Sequence, residues 1–535
     1  MRIKWQIVAV VLLVGLYLTT RLWRLTYLPV FADEAIYLRW SQLIISDPKQ
    51  YLFFSMNDGK TPLQIWLNVP FLLLFSDPLW AGRLVTVLVG LGQMAVVAAL
   101  VKNFGGGRRT AILGAGLVLI LPGWFLHGRL ALLDALMTLW LSLSLLFIKK
   151  TVDQLSWTGL KKNWRRILCL AGLAGVFFGA ALWTKFAALI FLPVMLFIGI
   201  VLSPEKKCRI GAVDWWKENF LVVAAMGLAG AVGGIIFLSL KFTPVFSQIF
   251  ARGGDFLYPS SVLLSSEIWS IVARNSSNFL AFLANYASWP FLAGTLILSV
   301  LVWKKNRQPL YLLLGGLIFL LPMILLGKVV YPRYLLPSLI FISLAGTLAM
   351  ATWWRKWQKQ WWLRWLPTVI LLPTLLLSVN FMIKSTSDLA RWPLVEADAA
   401  QYLATWSAGF GVPETVALIK NLSAQERVLV LTEGYFGTLP DALLMYFFKE
   451  DVSNLAIEGI GQPVVAIPQR ELARFSEFDR IILVVNSNRM QLDTADKKLQ
   501  LLASFDRPVA DHSDGFIALQ VWEIDRSYGQ GLVGK

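Results

Sequence analysis

Long apolar runs, separated by short polar segments, organise most of this chain. A helix needs roughly 20 mostly apolar residues to cross about 30 Å of hydrocarbon. About eleven runs come near that length, at 7–27, 79–101, 111–127, 130–148, 167–184, 186–202, 219–240, 279–302, 309–326, 334–353 and 365–383. The pattern predicts a polytopic α-helical membrane protein with about eleven transmembrane helices. Lysine and arginine gather in alternate loops, with Lys102, Arg108 and Arg109 in one and Lys149, Lys150, Lys161, Lys162, Arg165 and Arg166 in the next. Lys206, Lys207 and Arg209, then Lys304, Lys305 and Arg307, then Arg355, Lys356, Lys359 and Arg364 continue the series. Such loops are expected on the cytoplasmic side. An odd number of spans then puts the N-terminus in the cytoplasm and everything after about residue 384 outside. The first run carries Arg2 and Lys4 before it and no small-residue cleavage site after it, so an uncleaved span is expected.

Two extracytoplasmic segments are too long for turns. In the first, 28–78, Ile36, Trp40, Leu43 and Ile44 form an apolar stripe opposite Glu34, Tyr37 and Ser41, the pattern of a helix lying on the membrane surface. The second, 241–278, is mixed and contains glycines. From 384 the texture becomes that of a soluble domain. Strand patterns at 427–432, 463–468, 480–485 and 516–524 and helical patterns at 439–449 and 494–504 predict a small extracytoplasmic α/β domain over 384–535, after a membrane domain over 1–383.

Composition agrees with a chain that lives mostly in lipid: 57% hydrophobic and 15% charged residues over 535 positions, with a mean hydropathy of +0.63. The net charge of +17 does not point to nucleic acid, because the basic residues follow the loop alternation. Two cysteines, Cys169 and Cys208, build neither a disulfide framework nor a thiolate metal site. There is no phosphate-cradling glycine loop, no Asp-x-Asp pair and no internal repeat. No metal and no cofactor are expected. The Asn-x-Ser triplets at Asn275 and Asn421 are patterns that arise by chance.

The informative charges stand at the predicted outer ends of the spans. Asp33 and Glu34 follow the first run, Lys60 lies in "KTPLQIWL", and Arg83 opens the second run in "WAGRLVTVLVGL". Arg129 and Asp134 share "LHGRLALLDALMTLW", Lys185 interrupts "GAALWTKFAALIFLP", and Lys328 and Arg333 flank "GKVVYPRYLLP". A charge inside a span costs about 2.5–3.5 kcal/mol on insertion scales, so such residues face a partner or a polar cavity. Each has an ordinary reading: Asp33 as a helix cap, Lys60 and Arg83 snorkelling to headgroups, Arg129 and Asp134 in structural pairs, His127 at the interface. Together they form the inventory of an anion site with a carboxylate beside it. An enzyme outside the cytoplasmic membrane draws on a lipid-linked donor, and a polyprenyl phosphate sugar fits. Its phosphate leaving group needs cations, and a carboxylate can take the acceptor's proton.

In order, "FADEAIY", "KTPL", "WAGRL", "RLALLDAL", "WTKFAAL" and "YPRYLLP" resemble the pattern of type C glycosyltransferases, and most nearly glycosyltransferase family 39 with its protein O-mannosyltransferase and aminoarabinose transferase relatives. The resemblance spans roughly residues 20 to 345. It implies a glycosyltransferase, inverting and without a strict metal requirement, that moves a sugar from a polyprenyl phosphate-linked donor to a protein, lipid or glycan acceptor. It further implies Asp33 as catalytic base with Glu34 in support, and Lys60 and Lys185 at the donor phosphate. Arg83 and Arg333 are further phosphate candidates, and Tyr37, Arg129, Asp134 and Tyr334 complete the expected site. Thr61 departs from the family's Lys-Pro-Pro-Leu motif. The residues leave two alternatives open, a lipid-carrier flippase or transporter and a membrane anchor. Against the first stands the clustering of charge at one end of the spans. Against the second stands the lysine in the middle of "WTKFAAL".

Overall fold

The computed structural model describes residues 2–202, 213–450 and 452–528. The expected basic loop with Lys206, Lys207, Cys208 and Arg209 lies outside the described residues. Two compact units form: Met1–Trp23, Leu52–Gln64 and Leu84–Ile383 make the first, and Arg24–Tyr51, Ile65–Arg83 and Lys384–Lys535 the second. The units change at Ile383/Lys384, and they differ from the expected division in that most of 28–78 joins the C-terminal residues.

Among the described residues, eight helices are long and apolar enough to cross a membrane, or nine if the pair Ile268–Tyr286 and Trp289–Leu301, bent by 102°, is one span. The chain is a polytopic membrane protein. Two of the eleven expected runs are shortened by identifiable breaks. The run at 111–127 divides into Arg108–Ile120 and Pro122–His127. Pro122 has no N–H to give Val118 O, and the buried Arg21 guanidinium donates to that carbonyl at 3.2 Å and to Leu119 O at 2.8 Å. The run at 186–202 opens on a 3₁₀ turn, Phe186–Ile190, and continues as the helix Phe191–Leu202.

The helix Leu336–Lys356 forms the centre of the first unit, with neighbours on every side. Small residues let it be approached closely, and a Cβ at Gly346 would stand 2.5 Å from the Phe291 ring. Several polar residues inside the bundle bond to helix carbonyls or to each other. Thr138 donates to Asp134 O at 2.7 Å, Ser142 to Thr138 O at 2.9 Å, and Gln93 Nε2 to Ser142 Oγ at 2.8 Å.

The second unit is built on a five-stranded sheet, β1 Val428–Thr432, β2 Leu455–Gly459, β3 Arg480–Asn486, β4 Leu499–Asp506 and β5 Ala518–Ile524, in the order β2-β1-β3-β5-β4. β1 pairs parallel with β2 and β3, while β5 pairs antiparallel with β3 and β4. β1 is buried along its whole length, as its unbroken apolar sequence requires of a strand covered on both faces. One face packs Val428, Val430, Ile482, Val484 and Val521 with Val30, Ala35, Leu38, Leu72 and Leu79. The other packs Leu429, Leu431, Ile481, Leu483 and Ile524 with Trp522 and Phe475.

This packing corrects the surface-helix expectation. The helix Ala32–Ser46 buries Glu34, Tyr37 and Ser41 as well as Ile36, Trp40 and Ile44, and Gln42 Nε2 donates to Met445 O at 2.8 Å. A helix with both faces covered is not one whose polar side meets water. The strand expected at 463–468 is absent. Pro463 and Pro468 bound it, and Val464 makes a single parallel bridge to Met490. The helix expected at 494–504 is largely β4, an edge strand whose register shifts between Leu501 and Ala503, which hides the twofold alternation.

Asp441 opens the helix Asp441–Phe447 and accepts the Gly437 N–H at 2.7 Å. Burial outweighs that bond and the Arg39 charge, and raises its carboxyl from the ordinary 3.8 to about 6. An acid raised in the folded state binds its proton more tightly there than when unfolded, so ionisation costs stability as pH rises between those values. At about 1.4 kcal/mol per unit the full cost above pH 6 is roughly 3 kcal/mol. Asp441→Asn is expected to increase hydrogen-exchange protection of the Asp441–Phe447 helix over wild type at pH 7.5 and to leave it nearly unchanged at pH 4. A difference independent of pH would refute this titration.

Candidate functional site

The Asp33–Glu34 pair forms the first turn of Ala32–Ser46, where the exposed N–H groups and the dipole favour acids. The two acids are held differently. Glu34 is fully buried, accepts the Phe31 N–H at 3.1 Å, and takes a forked pair from Arg83, Nε to Oε1 at 2.9 Å and Nη2 to Oε2 at 2.6 Å. The remaining donors of Arg83 go to Leu25 O and Leu28 O from Nη1, at 2.9 and 2.7 Å, and to Pro29 O from Nη2 at 3.0 Å. All five N–H groups of the guanidinium are spent inside the protein. Arg83 is thus a clamp on the 25–34 turn, which corrects its expected place at a phosphate. Asp33 is half-buried on the same turn. Tyr37, one turn on, is buried with its ring 6.0 Å from Trp40.

In the first unit a second group of candidates comes together. The helix Trp157–Thr184 ends at Lys185, whose backbone is extended at φ −159° and ψ 125°. Its ammonium donates to Asp134 Oδ1 at 2.7 Å and lies 4.7 Å from the centre of the Tyr334 ring. Arg333, on the 3₁₀ turn Pro332–Leu335, sets its Nε 4.0 Å from Asp134 Oδ2 and its guanidinium 4.7 Å from the Tyr331 ring. Asp134 and Arg333 are buried, while the Lys185 side chain is 23% exposed. One carboxylate lies between two cations, and the most exposed member is a lysine able to meet an anion. His127 is buried nearby with its ring 6.0 Å from Tyr286, so it is not the interfacial residue expected, and neither ring nitrogen has a hydrogen-bond partner among the described residues.

Arg129 and Lys60 make further contacts in the same unit. Arg129 does not pair with Asp134; it donates to Thr20 O at 2.8 Å and Trp23 O at 3.0 Å, satisfying carbonyls at the end of the first helix. Lys60 lies 5.4 Å from the Phe256 ring, beside a loop in which Arg252 pairs with Asp58 at 2.5 Å. Lys60, Arg129, Asp134, Lys185, Arg333 and Tyr334 thus belong to the first unit, and Asp33, Glu34, Tyr37 and Arg83 to the second. The sequence signals neither Tyr331 beside Arg333 nor His127 near Asp134, except by their positions beside "PRY" and "GRLALLD". Among the described residues no group of histidine, cysteine or carboxylate side chains is arranged to hold a metal ion.

Residues 50–204 match the profile of the family described as Dolichyl-phosphate-mannose-protein mannosyltransferase. That segment contains Lys60, Arg83, Arg129, Asp134 and Lys185. No curated protein matches the chain. Among solved structures, ArnT from Cupriavidus metallidurans bound to undecaprenyl phosphate superposes with a TM-score of 0.57 at 13% identity, covering 97% of this chain and 98% of that one. The apo state of the same protein gives 0.58 at 15% identity over the same shares. The oligosaccharyltransferase AglB from Archaeoglobus fulgidus, in complex with an inhibitory peptide and a dolichol-phosphate, gives 0.50 at 13% identity, covering 91% of this chain and 70% of that one. At these identities the likeness to the solved structures is one of fold, and it extends to both the helical and the sheet-bearing unit.

Removing one partner from a buried pair strands the other, which costs about 3–5 kcal/mol. Glu34→Gln is accordingly expected to lower the melting temperature of the purified protein by several degrees, and Glu34→Gln with Arg83→Met to recover part of that loss. Equal melting of wild type and Glu34→Gln would show that the clamp contributes little.

Proposed function

We propose that this chain is a membrane glycosyltransferase of type C that transfers a sugar from a polyprenyl phosphate-linked donor to an acceptor hydroxyl on the extracytoplasmic face, with Asp33 as general base. The observation that carries the reading is the Asp134–Lys185–Arg333 cluster, a partly accessible site in which two cations meet at one carboxylate. The donor presents a phosphodiester beside the anomeric carbon. As the acceptor oxygen attacks that carbon, the carbon–oxygen bond to phosphate breaks and its electron pair passes to the phosphate. Lys185 and Arg333, with Lys60 from the loop before the second span, stabilise that charge. The acceptor's proton passes to the Asp33 carboxylate, and attack opposite the leaving group inverts the anomeric centre.

Glu34 fits a positioning role. Its oxygens are committed to Arg83 and the Phe31 N–H, so it fixes the turn that carries Asp33 without exchanging a proton. Asp134 holds Lys185 and Arg333 on one carboxylate, which keeps two like charges close together before a donor arrives. The loop charges favour an N-terminus in the cytoplasm and a sheet-bearing unit outside.

Vesicles reconstituted with the purified chain and radiolabelled polyprenyl phosphate sugars test the reading. Asp33→Asn is expected to reduce turnover roughly 100- to 10,000-fold with donor affinity retained. Lys185→Ala is expected to weaken donor affinity by about tenfold or more, the scale of one charge-assisted contact. Full turnover in Asp33→Asn would exclude it as the base, and unaltered donor binding in Lys185→Ala would remove the phosphate site from this cluster.

A further inference from the structure

The sheet-bearing unit has a polar centre of its own that the transfer reaction does not use. β1 and β3 are adjacent and parallel, and the chain leaves β1 towards β2 on one side and β3 towards β4 on the other, so the two connections diverge. At the carboxyl ends of such strands the diverging loops open a crevice, the usual place for a ligand in an open α/β sheet. Glu433 stands there, directly after β1, and Asn486 ends β3. Glu433 accepts from the Asn486 backbone N–H at 2.8 Å, from Asn486 Nδ2 at 2.6 Å and from Arg489 Nη1 at 3.0 Å. Arg489 Nη1 also donates to Gln462 Oε1 at 2.7 Å, and its guanidinium stacks 4.3 Å from the Trp406 ring. Behind them Arg507, 2% exposed, donates to Asn486 Oδ1 and Ala408 O, while its Nε and Nη1 have no hydrogen-bond partner among the described residues.

Two features of this centre are unexplained by packing. Arg489 is fixed on one nitrogen and on one ring face, yet its Nε and Nη2 donate to nothing among the described residues. That edge is the fork which a carboxylate or phosphate accepts in a bidentate pair. Two arginines face one glutamate, so the centre is also one negative charge short. Beside it the Gly434–Gly437 loop, held at positive φ at both glycines, carries Tyr435 and Phe436, exposed by 74% and 57%. Tyr435 lies over the Gly459–Gly461 turn, where a Cβ at Gly461 would stand 3.3 Å from its hydroxyl. Large aromatic faces turned to solvent next to a fixed polar floor suit a ring with apolar C–H faces and a polar rim, which is the chemistry of a sugar.

We propose that this crevice binds an anionic saccharide, with Arg489 forking its carboxylate or phosphate and Tyr435, Phe436 and Trp406 packing on its rings. Arg507 and Glu433 are positioning residues, the first adding charge and the second orienting Arg489. The site lies wholly within the sheet-bearing unit and does not depend on the transferase reading.

The full chain in detergent is titrated, by calorimetry, with uronate- and phosphate-substituted oligosaccharides, with their neutral counterparts and with inorganic phosphate. At least one acidic oligosaccharide is expected to bind at least tenfold more tightly than its neutral counterpart. Arg489→Gln is expected to abolish that preference, and Tyr435→Ala with Phe436→Ala to weaken both members of the pair at least tenfold. These aromatic positions are exposed, so their replacement keeps the fold even where Arg489→Gln disturbs Glu433. Asp33→Asn and Lys185→Ala are expected to bind the same ligand as wild type. The proposal is overturned if no oligosaccharide binds, if binding survives both sets of substitutions, if it disappears in Lys185→Ala, or if inorganic phosphate binds as tightly as the acidic oligosaccharide.

Discussion

A charge removed from water has to be met by an opposite charge or by backbone carbonyls, and that constraint shapes both units of this protein. Arg83 and Glu34 are the most complete instance. Five guanidinium donors meet two carboxylate oxygens and three carbonyls, and the chain between residues 25 and 34 is drawn around them. Such a pair adds little net stability compared with apolar packing, but it accepts one arrangement of its partners and penalises the others. The turn that presents Asp33 therefore has a defined geometry.

The same rule accounts for the breaks in the helical unit. Pro122 deprives Val118 of its helix partner, and Arg21 supplies the missing donor from another helix. Arg129 does so for the carbonyls of Thr20 and Trp23. Both arginines sit in mainly apolar surroundings, where either might be taken for a ligand-binding cation. Each gives two hydrogen bonds to helix carbonyls. Lys185 and Arg333, which meet at the Asp134 carboxylate, are distinguished from these by what they touch.

This sets the limit of what could be read in the sequence. Apolar runs disclosed the membrane helices, and the motif order disclosed the family resemblance, because both are local or ordered along the chain. β1, β3 and β5 showed as apolar runs for the same reason. The job of Arg83 was hidden, since an arginine opening a span looks alike whether it snorkels, binds phosphate or clamps a turn. The helix Ala32–Ser46 looked amphipathic because its second covering surface comes from residues some four hundred positions away, as in the contact of Gln42 with Met445. A bulge in β4 broke the alternation that marks a strand. The polar centre around Glu433 gave no local signal, because its members come from five separate stretches of chain.

Under the proposed transfer, Asp134 would also have a consequence for the rhythm of turnover. A phosphodiester donor carries one negative charge, but the polyprenyl phosphate left after transfer carries close to two at neutral pH. Two unshielded cations would therefore hold the spent carrier more firmly than the loaded one, and the enzyme would be slowed by its own product. A carboxylate shared between Lys185 and Arg333 offsets part of that attraction and competes for the same donors once the sugar has left. In a site built this way, the acid beside the cations acts as an internal rival that lets the spent carrier go.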